Sequence, residues 1–375
     1  MDPRFGLVSV DDHVLEHPAV WTDRLSRERW GDRIPHVESV DGTDQWVIDG
    51  RRLDLTGGGS VGAVLADRAA TPTHWSDIPQ QAYQPAERLT AMDADGVDVS
   101  VLYPTIAGLA GETFGQLQDP DFELACVQTY NDWLLEEWAS ASQRFVPQCL
   151  VPLAPVEAIV AEIQRAVGKG HRGVIFPAVP MLVRELPHVN EAVYDPVWSA
   201  CEELEVPVCF HSGSSKRLQF PVYSDLPPAL QTTLDVVNRP LGAISVFSNV
   251  LYSHILNRHP RLKVVFAESS LGWGAYELEL ADHEFERQRL HQEPGEVRPS
   301  QLFRRQCYLT GSFDRAGLGL RSYIGVDNML WQTNFPQASS TWPRTWDVVA
   351  ANFQGVPEAE RSKVLWGNAA ALYGV

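Results

Sequence analysis

From residue 85 onward, stretches with a helical rhythm alternate with short, unbroken apolar runs. PAERLTAMDADG leads into VDVSVLYP, PDFELACVQTYNDWLLEEWASAS into RFVPQCLVP, and PVEAIVAEIQRAVGKG into GVIFPAVP. In the last of these helical stretches Val156, Ile159, Val160, Ile163, Ala166 and Val167 fall on one face, which Gly168 and Gly170 close. Asp195 and Pro196 are expected at the N-cap and first position of the next helix, with Val197, Ala200, Cys201 and Leu204 on its inner face. Apolar runs that do not alternate mark parallel strands buried on both faces. Counting LVSVDDH first, the expected strands are Leu7–Val10, Val99–Leu102, Val146–Leu150, Gly173–Phe176, Val208–Phe210, Val264–Ala267, Tyr308–Thr310 and Met329–Trp331. Eight such strands with helical crossovers predict an α/β fold, a distorted (β/α)8 TIM barrel forming one domain over residues 1–375. A doubly wound open sheet is the alternative, and no GxGxxG follows the first strand to favour it.

Residues 18–83 interrupt this rhythm directly after the first strand. They contain a hairpin pattern, WVIDGRRLDL, and a glycine-rich stretch, GGGSVG. An insertion there would lie at the C-terminal mouth of the barrel, which makes it a lid candidate.

Composition narrows the partners. The 375 residues carry 48 acidic and 30 basic side chains, a net charge of −18, with no basic cluster, which excludes a nucleic-acid partner. The five cysteines, Cys126, Cys149, Cys201, Cys209 and Cys307, are scattered and form no CxxC pair. That pattern predicts reduced thiols and a cytoplasmic location. MDPRFGLVSV does not read as a signal peptide, and no apolar run approaches the ~18 residues of a membrane span. A small-molecule substrate is the expected partner.

In such a barrel chemistry collects at the C-terminal ends of the strands. Strand one ends in Asp11-Asp12-His13, and the period-two alternation of a strand puts Asp11 and His13 on the same side. Strand five ends in His211, strand six in Glu268 and strand eight in Asn334. Two imidazoles and two carboxylates form an N/O set suited to zinc, manganese or iron, and an open position would make the metal a Lewis acid. His254 and His259 read as structural, and Trp273, Trp331 and Trp342 as packing residues.

VSVDDHVLEHPAVWTDRL, LTAMDADGVDVSVLYPT, YNDWLLEEWA, GVIFPA, VPVCFHSGS, HPRLKVVFAESSLGW, IGVDNMLWQTNFPQASSTWP and LWGNAAALYG together cover nearly the whole chain. With these motifs the sequence resembles the amidohydrolase-related family that includes aminocarboxymuconate semialdehyde decarboxylase and the resorcylate and carboxyvanillate decarboxylases. The resemblance implies metal ligands at Asp11, His13 and His211, and an acid–base position at Glu268, where the decarboxylases carry histidine. The family's strand-eight aspartate, a ligand and proton-transfer group, falls on Asn334, and the histidine after its proline falls on Gln337. A dimer is implied by the resemblance alone.

Asn334 changes what the site can do, because an amide transfers no proton and its neutral oxygen is a poorer metal ligand than a carboxylate. One expectation is a decarboxylase or hydrolase with a weakened zinc or manganese site and Glu268 as proton carrier, its pKa raised by burial. A second is a metal-free acid–base enzyme, a lyase, cyclase or esterase, in which Asn334 donates to an oxyanion. A third is a non-catalytic ligand-binding barrel.

Overall fold

The computed structural model describes residues 6–221, 223–293 and 295–375. Five of the N-terminal residues on which the signal-peptide reading rests lie outside that range. The first strand, β1 (Val8–His13), is buried along its whole length. It is followed by an antiparallel meander, β2 (His36–Val40), β3 (Thr43–Ile48) and β4 (Arg51–Leu53). The remaining strands are β5 (Val99–Tyr103), β6 (Phe145–Pro147), β7 (Val174–Ile175), β8 (Val208–His211), β9 (Val264–Ala267), β10 (Cys307–Gly311) and β11 (Met329–Trp331). All the strand positions expected from the apolar runs are occupied, and the bounds of β9 and β11 coincide with the expected ones.

Parallel pairing runs β1–β5–β6 and β7–β8–β9–β10–β11. A bridge between Cys149 and Val174 joins the two sets. The circle closes past the end of β11, where Asn334 N–H donates to Asp11 O at 2.9 Å and His13 N–H to Phe335 O at 2.6 Å. The barrel is thus sealed by the residues that flank its chemistry. Asp12, which points away from Asp11 and His13, fixes this seam: its carboxylate accepts from Ser100 Oγ at 2.6 Å, Ser9 Oγ at 2.9 Å and Phe335 N–H at 3.0 Å.

Two details of the helices differ from the expected pattern. Gly168 lies inside the helix Val156–Lys169, and Gly170, at φ 128°, ends it. The helix Asp195–Glu203 starts one residue early, with Tyr194 as N-cap, and Leu204 is exposed because it falls past the helix end.

The insertion follows its sequence signals in part. Asp49 (φ 51°) and Gly50 (φ 77°) form the two-residue β3–β4 turn, the left-handed geometry that Asp-Gly favours in hairpins. β2 escaped notice because it is half exposed and carries little apolar alternation. The insertion is anchored by Trp21, whose ring meets Trp46 at 5.6 Å and Phe114 at 5.4 Å. It is also tied to the loop after β11. Ala63 N–H donates to Pro336 O at 3.0 Å, and Arg68 Nη1 donates to Ala338 O at 3.2 Å and Ser340 O at 3.0 Å.

Candidate active site

Asp11, His13 and His211 meet at the C-terminal mouth, with one potential ligand atom from each within 4.8 Å of the others. His13 Nε2 and His211 Nε2 each lie 3.4 Å from Asp11 Oδ1. All three side chains are buried, and neither oxygen of Asp11 has a hydrogen-bond partner among the described residues. Burial pushes the Asp11 carboxyl up, yet the His211 and His13 imidazoles hold it well below the usual carboxylate range. Burial depresses His13, but Asp11 outweighs it and raises the imidazole.

A naked, buried carboxylate needs a positive partner, and two imidazole nitrogens beside it make a set that fits a divalent cation. His13 is prepared for that role. Its Nδ1 donates to Pro104 O at 2.9 Å, which leaves the Nε2 lone pair directed inward. The loop after Pro104 is held in turn by Glu16, three residues beyond β1, whose carboxylate accepts from Thr105 N–H at 3.2 Å, Ile106 N–H at 2.8 Å and Ala107 N–H at 3.2 Å. Burial pushes Glu16 up to about 7. His211 fits by position, but Gly213 N–H donates to its Nδ1 at 3.0 Å, so the neutral ring carries its hydrogen on Nε2. It binds a cation only after giving up that hydrogen.

Glu268 lies next to the triad, with Oε2 3.8 Å from His211 Nε2. The charge state expected from sequence is reversed. Burial works to raise its pKa, but the Arg239 guanidinium, followed by His211, holds it below the ordinary value. Arg239 Nη1 donates to Glu268 Oε1, Asn334 Nδ2 donates to the same oxygen at 2.6 Å, and Ser212 Oγ donates to Oε2 at 2.9 Å. Sequence reasoning missed Arg239 because it sits within the long helix Pro228–Leu251, ahead of Pro240, and not at a strand end.

Asn334 is not free to stabilise an oxyanion. One N–H of its amide goes to Glu268 and the other to Ser339 Oγ at 2.9 Å, while Oδ1 is buried without a partner among the described residues. The carboxylate beside it dictates this orientation, since a flipped amide would set oxygen against oxygen. Glu268 (φ 55°) and Asn334 (φ 57°) both adopt the left-handed conformation, a strain that only a tightly determined site sustains. The other expected packing residues stay clear of the centre. Trp331 meets Phe353 at 5.8 Å, Trp342 meets Phe335 at 5.7 Å and Trp273 meets Phe247 at 5.0 Å. His254 pairs with Glu296 at 3.1 Å, and His259 with Asp195 at 3.5 Å.

Above the centre is a cavity of about 390 Å³. His13 and Glu268 line its floor, Gly58–Ser60 and Arg68–Thr71 of the insertion its roof, and the helix face from Gln231 to Arg239 one wall. Lys216 also lines it, and its ammonium has no hydrogen-bond or ion-pair partner among the described residues.

The model of the Amidohydrolase family matches residues 69–375. The chain belongs to the amidohydrolase family. This amidohydrolase is therefore an enzyme of the hydrolase or carbon–carbon lyase type. It is 24% identical over 313 residues to the gamma-resorcylate decarboxylase of Rhizobium sp. (strain MTP-10005), covering 80% of this chain and 90% of that one. Among solved structures it is similar to an amidohydrolase of Mycobacterium avium subsp. paratuberculosis K-10, with a TM-score of 0.75, 21% identity, and coverage of 99% of this chain and 100% of that one. A dihydroxybenzoic acid decarboxylase of Polaromonas sp. JS666, solved with bound manganese and the inhibitor 2-nitroresorcinol, aligns with a TM-score of 0.60 and 18% identity, covering 98% and 97% of the two chains. No helix among the described residues is long and apolar enough to cross a membrane.

Proposed function

We propose that this amidohydrolase decarboxylates a small aromatic carboxylate, with Asp11, His13 and His211 holding a divalent cation, manganese or zinc. The observation that carries the reading is the buried Asp11 carboxylate, unpaired and flanked by two imidazole nitrogens at the floor of the cavity. The decarboxylase relatives, one of them holding manganese, support it. When bound, the cation supplies Lewis-acid polarisation of the substrate's oxygens.

The chain's own residues do the rest. Lys216, and Arg239 beyond its bond to Glu268, draw an anion into the cavity. Glu268, ionised at rest, takes the proton of a substrate hydroxyl group at Oε2. It returns that proton to the ring carbon as the carbon–carbon bond breaks and carbon dioxide leaves. The net change is HO–Ar–COO⁻ to ⁻O–Ar–H and CO₂, and the phenoxide regains its proton from solvent. Asn334 moves no proton and holds Glu268 in place. The 18–83 segment acts as a roof that excludes water.

Gamma-resorcylate is the first substrate to try, with release of carbon dioxide followed in the manganese-loaded protein. Glu268→Gln should lower turnover by at least ~100-fold. Undiminished turnover in Glu268→Gln would remove Glu268 as proton carrier, and no turnover of any aryl carboxylate would retire the decarboxylase reading.

The Gly213–His211 contact favours a second reading, a metal-free acid–base site in which His211 Nε2–H serves Asp11 and Glu268. Elemental analysis of protein purified without chelator separates the two. Stoichiometric manganese or zinc supports the first, and its absence after loading supports the second.

A further inference from the structure

The helix Pro85–Asp95, which leads into β5, buries a guanidinium that no carboxylate pairs with among the described residues. Arg88 is only 1% exposed. Burial disfavours its charge, and the Asp12 carboxylate offsets that only in part. Asp12 spends its oxygens on Ser9, Ser100, Thr333 and the Phe335 N–H, and makes no ion pair with Arg88. An apolar side chain of similar volume fills such a place as well or better. What sets Arg88 apart from a filler is therefore what it donates to.

Nη2 donates to His13 O at 2.7 Å, and Nε donates to Gln81 O at 2.9 Å. The same Nη2 reaches Ala82 O at 3.4 Å. The guanidinium carbon lies over the Phe335 ring, 4.2 Å from its centroid. Phe335 O accepts the His13 N–H at 2.6 Å, and His13 Nδ1 donates to Pro104 O at 2.9 Å. His13 is thus held at its N–H, its carbonyl and its ring, and Arg88 supplies the carbonyl bond. Gln81 and Ala82 belong to the end of the insertion, so one side chain joins that segment, β1 and the loop after β11.

We propose that Arg88 is a positioning residue for the cation centre, fixing the backbone of His13 and tying it to the end of the insertion. This rests on the metal-binding part of the reading above. Without the guanidinium the His13 carbonyl loses a buried donor, and the peptide that aims Nε2 at the centre is freed on one side. Partners that orient a ligand from behind are typically worth about 10–100-fold in metal affinity.

The test is manganese affinity, read from the free-ion electron paramagnetic resonance signal as metal is titrated into the metal-free chain. The parent is compared with Arg88→Met and Arg88→Lys. Lysine keeps the charge but lacks the fork that serves His13 O and Gln81 O together. Ile163→Ala, in the core beneath the helix Val156–Lys169, is a control that loosens the fold without touching His13. Thermal transitions in chelator report which variants are folded, and either Arg88 variant that folds carries the test. Both should bind manganese about tenfold or more weakly than the parent, and Ile163→Ala about as tightly as the parent. Parent-like affinity in a folded Arg88 variant, or an equal loss in Ile163→Ala, overturns the proposal. Failure of both Arg88 variants to fold overturns it too, since the residue is then one of stability alone. A parent that binds no manganese removes the metal reading itself, and this inference falls with it.

Discussion

Asn334 Nδ2 stands 2.6 Å from Glu268 Oε1, so Asn334→Asp replaces a donor with a second carboxylate oxygen. Two unit charges 2.6 Å apart repel by about 6 kcal/mol at an effective dielectric constant of about 20. A proton held between them relieves the repulsion. Keeping one carboxyl protonated costs about 1.4 kcal/mol per pH unit above its ordinary value near 4, roughly 1.5 kcal/mol at pH 5 and 5.5 kcal/mol at pH 8. Arg239 reduces both figures without removing the trend. The shared carboxyl has its folded-state pKa raised, so the variant keeps its stability below about pH 4 and loses it as the pH rises through the raised value. For 375 residues the unfolding entropy is about 0.8 kcal/mol per degree, so the extra penalty amounts to up to about 5 °C. Calorimetry in chelator should therefore show a small deficit for Asn334→Asp at pH 5 and one several degrees larger at pH 8. Millimolar manganese should reverse the pH 8 deficit, since a cation satisfies both charges. Equal deficits at the two pH values without metal would mean that residue 334 does not face Glu268.

Arg239→Met strips Glu268 of its cation and should cost about 3 kcal/mol at pH 7 by urea unfolding, and less at pH 5, where Glu268 can take up a proton. A cost unchanged between the two would count against the pairing. Glu16→Gln sets an amide against the N–H groups of residues 105–107 and should cost about 1–3 kcal/mol at pH 5. Because the folded pKa of Glu16 is raised to about 7, its contribution is complete below about pH 4.5 and fades as the pH rises through 7. The Glu16→Gln deficit should accordingly shrink by pH 8; urea unfolding at both pH values would contradict this if it grew. Manganese at 100 times its Kd should stabilise the parent by about 2.7 kcal/mol. His13→Ala should lose most of that gain in a thermal-shift titration, and an undiminished shift would place the ion elsewhere.

The barrel was legible because buried parallel strands leave unbroken apolar runs, as VVFA at β9 and MLW at β11 do. The convergence of Asp11, His13, His211 and Glu268 followed from their places at strand ends. What a strand-end reading could not supply is whatever reaches the mouth from elsewhere. Arg239 arrives from the middle of a long helix and Glu16 from a loop, yet between them they set the charge of Glu268 and the orientation of His13. The raised pKa expected for Glu268 failed for that reason. Burial was readable from the apolar run before it, but the guanidinium that outweighs burial was not. For Asn334 the substitution was visible in sequence, whereas its committed N–H groups were not, because Ser339 and Glu268 meet it only in three dimensions.

The clasp between Arg68 and the carbonyls of Ala338 and Ser340, with Ala63 bound to Pro336, has a bearing on traffic. The roof is fastened to the same loop that carries Asn334 and Gln337. Swinging it away would drag the reaction geometry with it, so entry and exit through that side would dismantle the centre on every turnover. The wall opposite, from Gln231 to Arg239, has no such fastening to the strand-eight loop among the described residues and ends at Pro240, which has no N–H to give to the helix around it. Passage in and out is therefore expected on the Arg239 side. The residue that keeps Glu268 ionised then also stands in the doorway.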